Sequence, residues 1–357
     1  MNPNNWPRLI FLAPGAVALI TGLLAGLERM DVSFPVDLAD RHGPLMVAGF
    51  LTTVIGLERA VALGTGWAFL APVFSGVGAL LFLAGFGIAP LIMALGGLLL
   101  AVSAIEGYRR QPALYSAIMT LGAAAGAAAS LFWAYGATVG DAVGSWMAFL
   151  ALTIAGERLE LTRFLPPVKG RTPSLLLLVG IVLLSSAASL LDNNLAPRLL
   201  GVGFMGLAVW LLIFDIARRN LKLKGLAFFI GLSLVLGYLW LGVGGFSLLH
   251  HAIPAGGFEY DAVLHIVFVG FVFSMIFGHG PVILPAVLKR QAPYHPILLA
   301  WLLLLHAGLV LRLIGDHNEI MLARQIGGAL NVAAIVLYIG TLAVRVVQST
   351  RTGAEKT

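Results

Sequence analysis

The feature that most constrains this chain is a succession of apolar stretches, each long enough to cross a hydrocarbon layer about 30 Å thick, separated by short polar breaks. They fall at roughly 9–27, 43–63, 67–87, 89–107, 113–136, 143–160, 174–191, 196–217, 225–247, 262–288, 297–315 and 322–347. Lipid offers no hydrogen bonds to backbone N–H and C=O groups, so each stretch must satisfy its own as a helix. The expectation is one all-α polytopic membrane domain over residues 1–357, with about twelve helices and lipid as its main solvent. A content of 59% hydrophobic and 11% charged residues agrees with this. The first stretch, about Ile10 to Leu27, is longer than a signal-peptide core and reads as a retained helix. Only Gly87 to Pro90 separates the third and fourth, which requires a tight turn. Small residues at four-residue spacing from Gly122 to Ala129 place the fifth helix inside the bundle.

The net charge of +6 would suggest nucleic acid in a soluble protein. Here the basic residues lie in short loops, so topology explains them and no nucleic-acid partner is expected. With twelve spans, all but five of the 22 Lys and Arg residues fall on the side shared by the termini and the loops after even-numbered helices; the five are Arg29, Arg41, Arg198, Arg312 and Arg324. Under the positive-inside rule this places both termini in the cytoplasm of a bacterial inner membrane. The chain has no cysteine, which excludes disulfides, thiolate metal sites and Cys-ligated iron–sulfur clusters. A bound metal must rely on His, Met or carboxylate.

The second, sixth and tenth helices share a sparse pattern: a small residue and Phe, Ile five residues on, and a polar residue eight on. Its copies are Phe50/Ile55/Glu58, Phe149/Ile154/Glu157 and Phe271/Ile276/His279. A four-helix period of this kind describes three repeats closed into a ring, with one helix of each near the centre, where a cofactor is shielded from lipid.

Ionisable groups inside a bilayer are costly and usually face the bundle interior. His42 opens the second helix and His265 lies near the start of the tenth; these helices run in the same direction, so both imidazoles sit about one turn below the outer surface. Two such residues could be axial ligands to one haem iron, or each could hydrogen-bond a neighbouring helix or headgroup. Met46, one turn below His42, is either packing or a haem contact. His279 follows His265 by fourteen residues, about 21 Å along a helix, so it serves a different, cytoplasmic level. There Glu58, Glu157 and His279 could form a proton relay or a second metal site, unless Arg59 and Arg158 pair with the carboxylates as ordinary ion pairs. His250 and His251 close the ninth helix; with Pro254 and Gly256–Gly257 following, they form either an imidazole-only copper site or a surface turn. His306, midway along the eleventh helix, binds a cofactor or satisfies a polar neighbour.

At this point the residues resemble something known. His42-Gly-Pro-Leu-Met46-Val-Ala-Gly49-Phe50 resembles the H-x3-M-x2-G-F segment of the NnrS family of haem- and copper-containing membrane proteins linked to nitric oxide stress. Its start is also similar to the second helix of haem–copper oxidase subunit I, where that His binds the low-spin haem. His265-x4-Gly270-x4-Met275 followed by Gly278-His279 resembles a second NnrS pattern. Twelve helices in three groups of four is also the oxidase subunit architecture. The departures are Pro44, where NnrS carries a second His, an earlier Gly-His, and no His on the sixth or seventh helix, where oxidases ligate copper. The tenth helix also lacks the closely spaced His pair of oxidases.

The resemblance therefore implies a b-type haem held by His42 and His265 between helices two and ten, without an oxygen-reducing centre. It implies a role in nitric oxide response or electron transfer, with nitric oxide or another diatomic gas and a redox partner as candidate partners. Arg41 and Arg312 are then candidate propionate partners or plain interfacial anchors. The rival from another class is a proton or small-solute transporter using Glu58, Glu157, His279 and His306. Whether the chain is an enzyme stays open at this point.

Overall fold

The computed structural model describes residues 8–32, 34, 37–162, 165–189, 194–250, 256–289 and 294–354, with side chains up to 348. Among them lie twelve helices long and apolar enough to span a membrane: α1 (Leu9–Glu28), α2 (Ala39–Leu63), α3 (Gly66–Leu83), α4 (Ala89–Arg110), α5 (Leu114–Ala134), α6 (Val139–Thr162), α7 (Arg171–Ala188), α8 (Leu195–Phe214), α9 (Leu226–His250), α10 (Gly257–Leu288), α11 (Ile297–His317) and α12 (Met321–Gln348). No strand occurs among the described residues. Large apolar side chains such as Leu177, Leu184, Val209 and Leu322 remain exposed along these helices. Water would disfavour that outer surface and hydrocarbon accepts it, so the chain is an all-α, multi-pass membrane protein.

Helix ends differ from the expected ones where local chemistry adds or removes a turn. The α3–α4 connection is longer than Gly87–Pro90 because Gly85 adopts φ +83° and stops α3 early. Its N–H bonds Phe82 O and that of Phe86 bonds Leu81 O, which satisfies two terminal carbonyls in a Schellman arrangement. Conversely, α10 starts five residues before the apolar stretch does, because Gly257 at φ +88° turns the chain and Phe258 to Asp261 form its first turn.

The chain divides into two compact units, Met1–Glu157 with Ser185–Asp192, and Arg158–Leu184 with Asn193–Thr357. Within each, small residues let helices approach closely, as van der Waals packing in lipid requires. In the first unit, a Cβ on Gly126 would lie 2.7 Å from the Phe149 ring, and one on Gly96 would strike the Ser75 backbone at 2.6 Å. In the second, a Cβ on Gly201 would lie 2.6 Å from Gly245 O, and one on Gly327 would lie 2.4 Å from Arg312 N. The Gly122–Ala129 run does pack inward, with Gly122, Ala123, Gly126 and Ala127 buried.

Burial is uneven among the helices. The apolar windows of α2, α6 and α10 are 61%, 72% and 67% buried, whereas that of every other helix is 50% or less. These three are the helices that share the Phe/Ile/polar pattern.

Candidate functional site

Both α2 and α10 change from α to π winding partway along, at Leu45–Leu51 and Ile266–Phe273. The π stretch begins five residues before Phe50 in one helix and five before Phe271 in the other, so the two copies share one register. Hydroxyls bond carbonyls within each π stretch: Thr52 Oγ1 donates to Val47 O at 2.9 Å, Thr53 Oγ1 to Gly49 O at 2.6 Å, and Ser274 Oγ to Gly270 O. Thr53 and Ser274 occupy equivalent positions, three residues after the Phe. In α6 the helix is α-helical throughout.

His265 stands immediately before one π segment, and His42 three residues before the other. A carbonyl oxygen can only accept, so a ring nitrogen facing one must carry its proton. His42 Nδ1 lies 2.7 Å from Gly22 O on α1, which leaves the ring lone pair on Nε2. The ring lies against Gly26, where a Cβ would be 2.9 Å from Cε1 and 3.0 Å from Nδ1. One turn on, Met46 packs on Gly22, whose Cβ would lie 2.8 Å from Sδ. The pair Gly22 and Gly26 is thus a cradle on α1 for the two side chains.

His265 Nδ1 lies 2.7 Å from Asp261 O and 3.4 Å from Asp261 Oδ1, which fixes the same tautomer. This i−4 bond is a local habit, repeated by His250 to Phe246 O and His279 to Met275 O. The bond from His42 crosses helices and is set by tertiary packing.

Asp261 anchors a buried charge network where α10 starts, α11 ends and α12 starts. Arg312 donates to its Oδ2 through Nη2 at 2.6 Å and Nε at 2.9 Å, and Arg324 Nη2 lies 3.4 Å from Oδ1. Arg324 Nε also approaches Asp316 Oδ1 at 2.9 Å, in a direction too oblique for a hydrogen bond, and its guanidinium stacks on Phe258 at 5.0 Å. All four charged residues are at most 9% exposed, and two arginines balance two aspartates. Arg41 donates from Nη1 to Phe82 O at 3.0 Å and Leu83 O at 2.6 Å, capping the last turn of α3. Arg41 and Arg312 therefore already have acceptors within the protein.

Glu58, Glu157 and His279 fall into two groups. In the first unit, Arg59 Nη2 bonds Glu157 Oε1 and lies 3.3 Å from Glu58 Oε1, so one guanidinium holds both carboxylates. In the second, Arg158 donates to Asp215 from Nε and Nη2 at 3.0–3.1 Å, and from Nη1 to His279 Nε2 at 3.2 Å. Tyr238 OH and Ala217 N complete the Asp215 shell at 2.9 and 3.0 Å. His279 thus donates from Nδ1 and accepts at Nε2. Asp215 and Asp316 escape the sequence reading, which weighs histidines and repeat positions; their signal is an acidic residue at the very end of an apolar stretch.

The profile of a family described as Domain of unknown function (DUF8744) matches residues 8–347. The chain belongs to that family. A search of curated proteins finds no match for this DUF8744 chain.

His306 and His250 of the DUF8744 chain stand apart from His42 and His265. His306 Nδ1 accepts from Trp240 Nε1 at 2.9 Å, with the rings stacked at 6.4 Å, so its proton is on Nε2. That nitrogen is buried without a hydrogen-bond partner among the described residues. His306 therefore presents a donor where His42 and His265 present a lone pair, which does not suit it to ligate a metal through Nε2. His251 lies outside the described residues, and His250 is exposed. Among the described residues, no group of three or more His, Asp or Glu side chains is placed to hold a bare metal ion. Haem asks less of the protein, because the porphyrin supplies four donors and the chain only axial ones. The tautomers and backbone anchoring of His42 and His265 fit that role, since an imidazole that ligates iron characteristically donates its other N–H to a carbonyl or carboxylate.

Proposed function

We propose that this protein is an integral-membrane haem protein, with His42 and His265 as imidazole ligands to haem iron and a role in nitric oxide handling or electron transfer. The observation that carries the reading is the His42 lock, an Nδ1–H bond to Gly22 O across helices with Gly26 beneath the ring. A bond of this kind holds the ring in place, and Nε2 is then the nitrogen through which the imidazole would ligate iron. The burial of α2, α6 and α10 and the shared π register of α2 and α10 support the resemblance to three-repeat haem proteins. When bound, the haem would supply one-electron chemistry or, with an exchangeable ligand, diatomic gas binding. The chain's own part is to hold the two imidazoles by their Nδ1 atoms and to set the charge beside His265.

The asymmetry of Lys and Arg between loops supports residence in a bacterial inner membrane with both termini in the cytoplasm. Copper at His250 draws no comparable support, because His250 is exposed and belongs to no group of three or more metal-ligating side chains among the described residues. The transport reading is also weaker: Glu58 and Glu157 are held by Arg59, and a proton carrier would have to break those contacts in each cycle. Pyridine haemochrome analysis of the detergent-purified chain from haem-supplemented cells tests the proposal. Stoichiometric b-type haem is expected; its absence refutes it.

A further inference from the structure

The second unit carries a dense cationic surface that the haem reading does not use. Between α8 and α9, Arg218, Arg219, Lys222 and Lys224 lie within seven residues and all four are exposed. Leu221 and Leu223 interleave them, and Leu223 is 53% exposed. The start of α7 joins this end, because Trp210 Nε1 on the last turns of α8 donates to Arg171 O at 2.9 Å. Exposed Lys169 precedes it, and Arg171 Nε is buried with no hydrogen-bond partner. The acid closest in sequence to the cationic run, Asp215, is turned inward onto Arg158, Tyr238 and Ala217 N. Among the described residues none of these six cations forms an ion pair with a carboxylate.

We infer that this end of the second unit is a binding site for an anionic phospholipid headgroup. Six cations without a local counter-charge repel one another, and a phosphate relieves that repulsion. The N-terminal turn of α7, where Pro173 has no N–H and Thr172 N precedes the first helical bond, adds the positive end of an 18-residue helix. Exposed Val168, Ile213 and Leu223 offer apolar surface for acyl chains. A soluble phosphate would use the cations but not this apolar border, which is why the lipid is the assigned ligand.

The test is a titration of the detergent-purified full chain with phosphatidylglycerol, phosphatidylcholine or inorganic phosphate, read as the shift in melting temperature. Phosphatidylglycerol should raise it saturably, and phosphatidylcholine and phosphate should not. In R218Q/R219Q/K222Q/K224Q the half-saturating phosphatidylglycerol content should rise about tenfold or more. The milder K222Q/K224Q, which keeps Arg218 on Ile213 O, should lie between and covers the case in which the fourfold variant does not fold. R109Q/R110Q, which removes two cations from the first unit, should leave the titration unchanged. Equal shifts with phosphatidylcholine, an unaltered titration in the loop variants, or an equal response to inorganic phosphate would each overturn the assignment.

Discussion

Gly26→Ala tests the best-defined contact in the candidate site. The added methyl would sit 2.9 Å from His42 Cε1 and 3.0 Å from Nδ1, with the next nearest atom, His42 Nε2, at 3.6 Å. Ordinary carbon contacts begin near 3.4 Å, so the ring must retreat by about half an ångström. It cannot do so freely, because Nδ1 is tied to Gly22 O at 2.7 Å on the same helix face. Overpacking costs about 1–3 kcal/mol, and loss of the hydrogen bond about 0.5–1.5 kcal/mol. Set against a gain of about 0.5–1 kcal/mol for Gly to Ala in a helix, the net destabilisation is about 0.5–4 kcal/mol. In a His42→Ala background the clash has no partner, and the same Gly26→Ala change should become neutral or stabilising. A double-mutant cycle on melting temperature in detergent reads this reversal of sign. An equal penalty in both backgrounds would refute the proposed packing of His42 on Gly26.

Further expectations follow from the buried polar groups. Asp261→Asn leaves Arg312 buried without its carboxylate, while Arg324 keeps Asp316, and should cost about 3–5 kcal/mol, seen as a lower melting temperature, whereas Asp261→Asn with Arg312→Met should recover much of it. Trp240→Phe removes the only hydrogen bond described for His306, and should destabilise the protein by about 1–2 kcal/mol in the same melt; His306→Phe together with it should be less harmful than the sum of the two. Because the chain has no cysteine, a single Cys at Asn318 should react with an impermeant maleimide added to intact cells, and one at Lys222 should react only after lysis.

Hydropathy alone placed the twelve helices, because in lipid the backbone leaves no other solution. The Phe/Ile/polar pattern, which hydropathy does not contain, falls on α2, α6 and α10, the most buried helices. The π segments escaped it: the apolar residues around Phe50 and Phe271 read the same at any helical winding. The partner of Arg158 escaped it too, since Asp215 is 57 residues away and only the tertiary fold of the second unit brings them together. Similarly, the donor that fixes the tautomer of His306 is Trp240 on another helix. His42 and His265 were visible as intramembrane histidines, but the carbonyls that orient them, Gly22 O above all, belong to tertiary packing.

The most direct test of the central claim is the reduced-minus-oxidised optical spectrum of the purified protein, recorded beside His42→Ala and His265→Ala. A b-type haem signal in the parent, lost or converted to a high-spin form in both variants while each remains folded, is the predicted result. A parent spectrum without haem after haem-replete expression, or a haem signal indifferent to both substitutions, would contradict it.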